Sequence, residues 1–387
     1  MHKTIYISGF RKWLIDLAVF LRFCFAAMKH FGFIKGLRCL RKYLIDNNNL
    51  FRDLPNRYVK KDRNIFVVPD VPPLNTRDFI DYLLKDVEVL IENAKPPLLF
   101  GIVCISSVCP YKCAYCYNIS EHSNKQLLST EKIFQTIEAF IQLGVKNIYL
   151  SGGEPMAREE IIPEILNKFA SKNIGFWLIT TGWGLDGVKL KAFKKMGLRG
   201  VMISLDAVQP GYINNIKGIG AFDTAVEVIK AAHESGLLVV ADCVMNRFLL
   251  GNGNFEDYTA FAAEAGVNFI NCYVPRTGES YFDEALKPFT IDELKRVGTL
   301  AKLNQTAKNN VLKPIAYSPD IFEAKRGCLG GKLFFYVSPD GSVKACPFQK
   351  TILGNINDQS ITEIIQNFDK EGCREVCGMN MLLRIIT

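Results

Sequence analysis

Residues 104–118 read Cys104-Ile-Ser-Ser-Val-Cys109-Pro-Tyr-Lys-Cys113-Ala-Tyr115-Cys116-Tyr-Asn118, and the last three cysteines stand at the spacing C-x3-C-x2-C. Three thiolates on one short loop can hold three corners of a cubic iron–sulfur cluster, whereas structural zinc, or a cluster that only carries electrons, takes four protein ligands. The loop itself supplies no fourth. Cys104 lies in the apolar run Leu98 to Ile105, which reads as a buried strand, and His122 lies in the polar run Ser120 to Gln126, which reads as a solvated loop. A cluster with one iron left open is the economical reading.

Around this loop the pattern alternates. Leu98 to Ser106, Lys146 to Ser151, Ile174 to Thr180, Gly200 to Leu205, Leu237 to Val244 and Val267 to Val274 read as strands. Helices are expected over Thr130 to Leu143, Arg158 to Ser171, Val188 to Met196, Phe222 to Ser235 and Phe255 to Ala265. The alternation predicts an α/β fold whose parallel sheet curves into a barrel or partial barrel. In such a sheet chemistry collects at the C-terminal ends of the strands. The cysteine loop follows the first strand. Gly152-Gly153-Glu154-Pro155 follows the second, where backbone groups can approach a ligand closely and a carboxylate can accept from an ammonium. Read alone, that tetrapeptide is only a turn. Strand four ends in Ser204-Leu205-Asp206, whose alternation sends Ser204 and Asp206 to one side; capping of the strand end is the competing reading. Weaker candidates for ligand contacts are Trp183, Asn246, Arg276 and Gly278.

The loop resembles the C-x3-C-x-aromatic-C signature of the radical S-adenosylmethionine (SAM) enzymes, with Tyr115 as the aromatic, and Gly152-Gly153-Glu154 is similar to that family's Gly-Gly-Glu motif. The resemblance implies a six-stranded (β/α)6 partial TIM barrel and a [4Fe–4S] cluster on Cys109, Cys113 and Cys116, with SAM on the open iron. It also implies reductive cleavage of SAM to a 5′-deoxyadenosyl radical, and an electron donor such as flavodoxin or ferredoxin. Tyr115, Gly152, Gly153, Glu154, Ser204 and Asp206 are carried over as SAM-binding positions. The chain departs from the family at Thr180-Thr181-Gly182, where relatives often show Thr-Asn-Gly.

A second cysteine group lies near the C-terminus. Pro339-Asp340-Gly341 reads as a turn that brings Cys328 and Cys346 together in a hairpin, and Cys373-x3-Cys377 follows. Four thiolates suit either a structural zinc or one auxiliary iron–sulfur cluster. The spacing resembles the C-terminal extension called SPASM, or its shorter form Twitch, which implies the cluster.

Of the twelve cysteines, seven fall in these two groups, a usage that suits a reducing cytoplasm rather than a disulfide scaffold. Residues 1–62 hold thirteen Lys or Arg against four Asp, so this segment carries +9 of a net charge of +8 and the rest of the chain −1. A basic N-terminal segment on a neutral body points to an anionic surface, and no nucleic-acid partner is expected. Residues 11–45 read as two basic amphipathic helices, too often interrupted by charge to span a bilayer. They either dock on the inner face of a membrane or pack on the enzyme body. The expected organisation is a helical region over 1–95, the catalytic core over 96–310 and the auxiliary-cluster module over 311–387. The leading function is radical chemistry on a peptide or small metabolite. The alternatives are modification of a lipid or lipid-linked substrate at a membrane surface, and, from another class, a zinc-stabilised binding protein without chemistry.

Overall fold

The computed structural model describes residues 4–46, 54–92, 94–116, 127–275, 287, 289–306, 314–320 and 328–368. In chain order they form β1 (Ile5–Ser8), α1 (Gly9–Phe31), α2 (Phe33–Ile45), β2 (Arg57–Lys61), β3 (Asn64–Phe66), α3 (Arg77–Glu92), β4 (Phe100–Ser106), α4 (Thr130–Gln142) and β5 (Asn147–Gly152). There follow α5 (Ile161–Lys168), β6 (Gly175–Thr180), α6 (Gly187–Met196), β7 (Leu198–Ser204), α7 (Pro210–Lys217), α8 (Ala221–Glu234), β8 (Leu238–Val244), α9 (Asn254–Ala265) and β9 (Phe269–Tyr273). The last elements are α10 (Ile291–Thr306), β10 (Ile315–Tyr317), β11 (Phe334–Val337), β12 (Ser342–Lys344), β13 (Gly354–Asn355) and α11 (Ile361–Asn367).

The six expected strands are β4 to β9, neighbouring and parallel in sequence order. The sheet extends past them. β10 adds in parallel beside β9, and β11 adds in parallel beside β4, followed by antiparallel β12 and β13. The hairpin expected around Pro339 is β11–β12, so Cys346, two residues past β12, sits on the same sheet as the strand that leads into the first cysteine loop.

Alternate residues of each strand serve two cores, as the pleat requires. Ile148, Leu150, Phe176, Leu178, Val201 and Ile203 join the side that carries the crossover helices, with Ile137, Phe140, Ile165 and Ile229. Their strand neighbours Tyr149, Trp177, Met202, Val240 and Phe269 line the other side, where Val59 and Phe66 meet them. A sheet with all its helices on one face and its other face filled by side chains is the partial-barrel arrangement, and burial on both faces explains the near-continuous apolar runs.

Only helices are expected before residue 96. The structure adds the antiparallel sheet β1-β2-β3; β1 and β3, of four and three residues, are too short to show a period-two signal, and three of the five residues of β2 are charged. This sheet closes the barrel from below. Arg57 donates from Nη1 to the Asn304 carbonyl (2.8 Å) and from Nη2 to the Pro314 carbonyl (3.1 Å), while Tyr6 Oη donates to the Val267 carbonyl (3.3 Å). The sequence reading also missed α7 and α10.

Trp177 is fully buried on the inner face, edge-on to Tyr149, and its Nε1 donates to Asn147 Oδ1 (3.2 Å). Trp177→Ala is therefore expected to lower stability by about 3–5 kcal/mol in urea unfolding, the usual cost of truncating a buried large aromatic. A loss below about 1 kcal/mol would mean that this layer is not tightly packed.

Candidate active site

The cysteine loop leaves the C-terminal end of β4 and is held from three sides. Below it, Gly153 N donates to the Ser106 carbonyl (2.8 Å) and Glu154 N to the Val108 carbonyl (2.7 Å). The contact is so close that a Cβ on Gly152 would stand 2.2 Å from Ser106 O, and one on Gly153 2.5 Å from Val108 O. The two glycines are thus needed for the approach of the loop's own backbone. From α7, the carbonyls of Ile216 and Lys217 accept from Ala114 N (2.8 Å) and Lys112 N (3.4 Å). The third hold is Tyr115, whose phenol donates to Asp206 Oδ2 and lies 3.5 Å from Ser204 Oγ.

Cys109, Cys113 and Cys116 are all half-buried. Burial pushes the Cys109 thiol up to about 11 and the Cys113 thiol up to about 12, and the charge of Cys116 adds to both. Thiols this reluctant to ionise become thiolates when cationic centres bind them. Among the described residues, no three His, Cys, Asp or Glu side chains converge as ligands of one ion would. Three half-buried thiols on one loop are the donor set that a cubic cluster with one iron left open takes.

Ser204 and Asp206 do fall on one side, together with a residue the sequence reading missed. Lys217 Nζ pairs with Asp206 Oδ2 at 2.7 Å, both side chains being almost completely buried, and donates to Ser204 O and Oγ at 2.8 Å each. Val244 N donates to Asp206 Oδ1 (2.8 Å). The signal for Lys217 was its place four residues after Ile213, on the buried stripe of α7. Asn246 uses both ends of its amide on backbone: Nδ2 donates to Asp206 O (2.8 Å) and Oδ1 accepts from Leu249 N (3.1 Å).

Glu154 is fully buried, and its carboxylate accepts from Thr180 Oγ1 (2.7 Å), Thr181 Oγ1 (2.6 Å), Thr181 N (2.8 Å) and Met156 N (3.2 Å). Burial raises its pKa, while these hydrogen bonds oppose the rise. The one departing residue, Thr181 in place of Asn, thus has a role, since its hydroxyl serves the glutamate beside that of Thr180. Trp183, two residues on, is 42% exposed. Deeper in the barrel, Asp242 accepts from Asn271 Nδ2 (2.6 Å), and Asp70 accepts from the Tyr149 phenol. Burial, reinforced by the Asp70 and Asp206 charges, pushes Asp242 up to about 7.

In the second cysteine group, Gly331 N donates to Ala345 O (3.0 Å), and a Cβ on Gly330 would lie 3.0 Å from Cys346 Cβ. This folds the segment after Cys328 onto Cys346. Because β12 runs back from the turn, Cys346 lies level with the start of β11. Phe334 pairs with Phe100, so this is about six residues, or ~20 Å, from the end of β4 where the first loop sits. Cys373, Cys377, His122, Arg276 and Gly278 lie outside the described residues.

Comparison with known proteins gives two family matches: residues 103–265 match the radical SAM superfamily, and residues 328–377 match the SPASM iron–sulfur cluster-binding domain. The second match runs from Cys328 to Cys377. Among solved structures, the chain resembles Streptococcus suis SuiB bound to S-adenosylmethionine, at 14% identity over 79% of this chain and 76% of that one, with a TM-score of 0.58. It resembles SuiB bound to precursor peptide SuiA at 14% identity over 83% and 79%, with a TM-score of 0.59. For anSMEcpe with bound AdoMet and a Cp18Cys peptide, identity is 18% over 70% and 81%, with a TM-score of 0.53. These likenesses concern the fold.

Two outcomes follow from this geometry. Gly153→Ala is expected to keep the fold by circular dichroism but to lose most iron from the first cysteine group, because its methyl would displace Val108; unchanged iron content would refute the close approach. Asp242 rises from 3.8 to about 7 on folding, so its contribution to stability is fully present below about pH 4 and is lost as pH rises through about 7. Asp242→Asn should flatten this part of the stability–pH profile in urea titrations; an unchanged slope would contradict it.

Proposed function

Because this chain belongs to the radical SAM superfamily and carries a SPASM domain, we propose that it uses SAM at the Cys109, Cys113 and Cys116 loop to modify a peptide or another small molecule at the mouth of the barrel. When bound, the [4Fe–4S] cluster supplies the electron that splits SAM into methionine and a 5′-deoxyadenosyl radical, which takes a hydrogen atom from the substrate. The single observation that carries this reading is the three-sided support of the cysteine loop, which joins it to the ends of β5 and β7.

The chain's own groups divide the remaining work. Thr180 and Thr181 hydroxyls can rotate away from Glu154, leaving its carboxylate to accept from the SAM ammonium, with Gly152 and Gly153 beside it. Ser204 and Asp206 stand with Tyr115 on the opposite wall, where the SAM ribose and carboxylate would lie. Cys328 and Cys346, with Cys373 and Cys377, are assigned to the auxiliary cluster. Flavodoxin or ferredoxin is the proposed electron donor. The SuiB and anSMEcpe structures include peptide complexes, which makes a peptide the first substrate class to test. A lipid or lipid-linked substrate taken from a membrane surface is the second reading, favoured by the exposed apolar residues of α1 and α2.

Cys113→Ala is expected to abolish 5′-deoxyadenosine formation by the anaerobic, dithionite-reduced protein and to remove one cluster's iron. Cys346→Ala should remove the other cluster's iron while SAM still binds. Undiminished 5′-deoxyadenosine from Cys113→Ala would overturn the assignment, and zinc in place of iron at the second group would overturn the auxiliary cluster.

A further inference from the structure

α1 is apolar on two sides, and only one of them is used in folding. Val19, Phe23 and Ala27 are buried, whereas Phe10, Trp13, Leu14, Leu17, Leu21 and Phe25 are exposed. At about 100° per residue, those six occupy an arc of roughly 120° on the side away from the buried three. Phe10 and Phe25 are 72% and 68% exposed, and Phe10 stacks on Trp13 at 5.7 Å. On α2, Phe33, Ile34, Leu37 and Ile45 are exposed in their turn.

The orientation of this face is fixed from behind. Gly36 lets α2 approach α1 so closely that a Cβ there would stand 2.8 Å from Met28 Cα. Tyr43 Oη donates to buried Asp86 (2.7 Å), and Lys35 and His30 reach Glu92 and Glu88 at 2.6 and 2.8 Å. α3 therefore holds the inner side of the hairpin, and the outer side faces away from the body. Five exposed cations border or interrupt that outer side: Arg11 and Lys29 on α1, and Arg38, Arg41 and Lys42 on α2. Among the described residues, none of these five side chains forms an ion pair or hydrogen bond. No helix of the described residues is long and apolar enough to cross a membrane.

We propose that the α1–α2 hairpin is a docking surface for an anionic lipid bilayer, lying in the plane of the interface with its apolar arc among the acyl chains and its cations at the headgroups. Charge complementarity chooses this occupant. Acidic headgroups neutralise five unpartnered cations, whereas a second copy of the same face would bring like charges together. The docking gives the lipid reading of the substrate its physical basis and rests on that reading only for its purpose.

The test is flotation of the full-length protein with phosphatidylglycerol–phosphatidylcholine vesicles and with phosphatidylcholine vesicles alone. The wild type should float with the anionic vesicles and be released by high salt, since each cation near such a surface contributes about fivefold in affinity. Arg38→Glu with Arg41→Glu should weaken binding by about 25-fold or more, and Leu17→Glu with Leu21→Glu should abolish it. Failure to float, or equal flotation of the variants, would overturn the proposal. So would a wild-type dimer that the Leu17 and Leu21 substitutions dissociate, because the face would then belong to a second copy. 5′-Deoxyadenosine formation without vesicles should be unchanged in all variants, so loss of docking and loss of the radical chemistry are read separately.

Discussion

The site leans on one buried ion pair, Lys217 with Asp206. Such a pair adds little net stability, because removing two charges from water costs about as much as their attraction returns. Its worth is in what it fixes. With Lys217 on one oxygen and Val244 N on the other, Asp206 is held as the acceptor for the Tyr115 phenol. A single carboxylate thus ties the cysteine loop to β7, α7 and β8. Removing either charge would leave the other buried without a partner, at a cost of about 3–5 kcal/mol.

The second constraint is steric and acts from β5. Gly152 and Gly153 admit the loop's carbonyls to within hydrogen-bond distance, and Glu154 beside them gathers four donors around a carboxylate that is otherwise cut off from water. The loop is therefore clamped between a backbone contact on one wall and a side-chain network on the other. β11 alongside β4 makes the C-terminal hairpin an extension of this frame, and it sets Cys346 about a strand's length away from the first loop.

Much of this was legible in the residues, and the limits were physical. β4 to β9 could be read because each is a run of five to seven residues bounded by helical pattern. β1, β3 and β10 have three or four residues and leave no periodic trace. The cysteine spacing and Gly-Gly-Glu single out residues that the fold brings together, and the glycines there also make room for the loop's own backbone. Lys217 was missed because α7 was, and without that helix its place four residues after Ile213 carries no signal. The Thr180 and Thr181 contacts to Glu154 depend on the packing of β6 beside β5, which no local pattern encodes.

A frame that presents three thiolates and leaves one position of the cluster open to SAM makes the reduced cluster sense SAM directly. The direct measurement is the electron paramagnetic resonance spectrum of the reduced Cys346→Ala protein, in which the first cluster is observed alone, with and without SAM labelled with 15N in its methionine amino group. An altered signal on SAM addition, with hyperfine coupling to the label, is expected. A reduced-cluster spectrum that is the same in the presence of saturating SAM, without coupling, would contradict it.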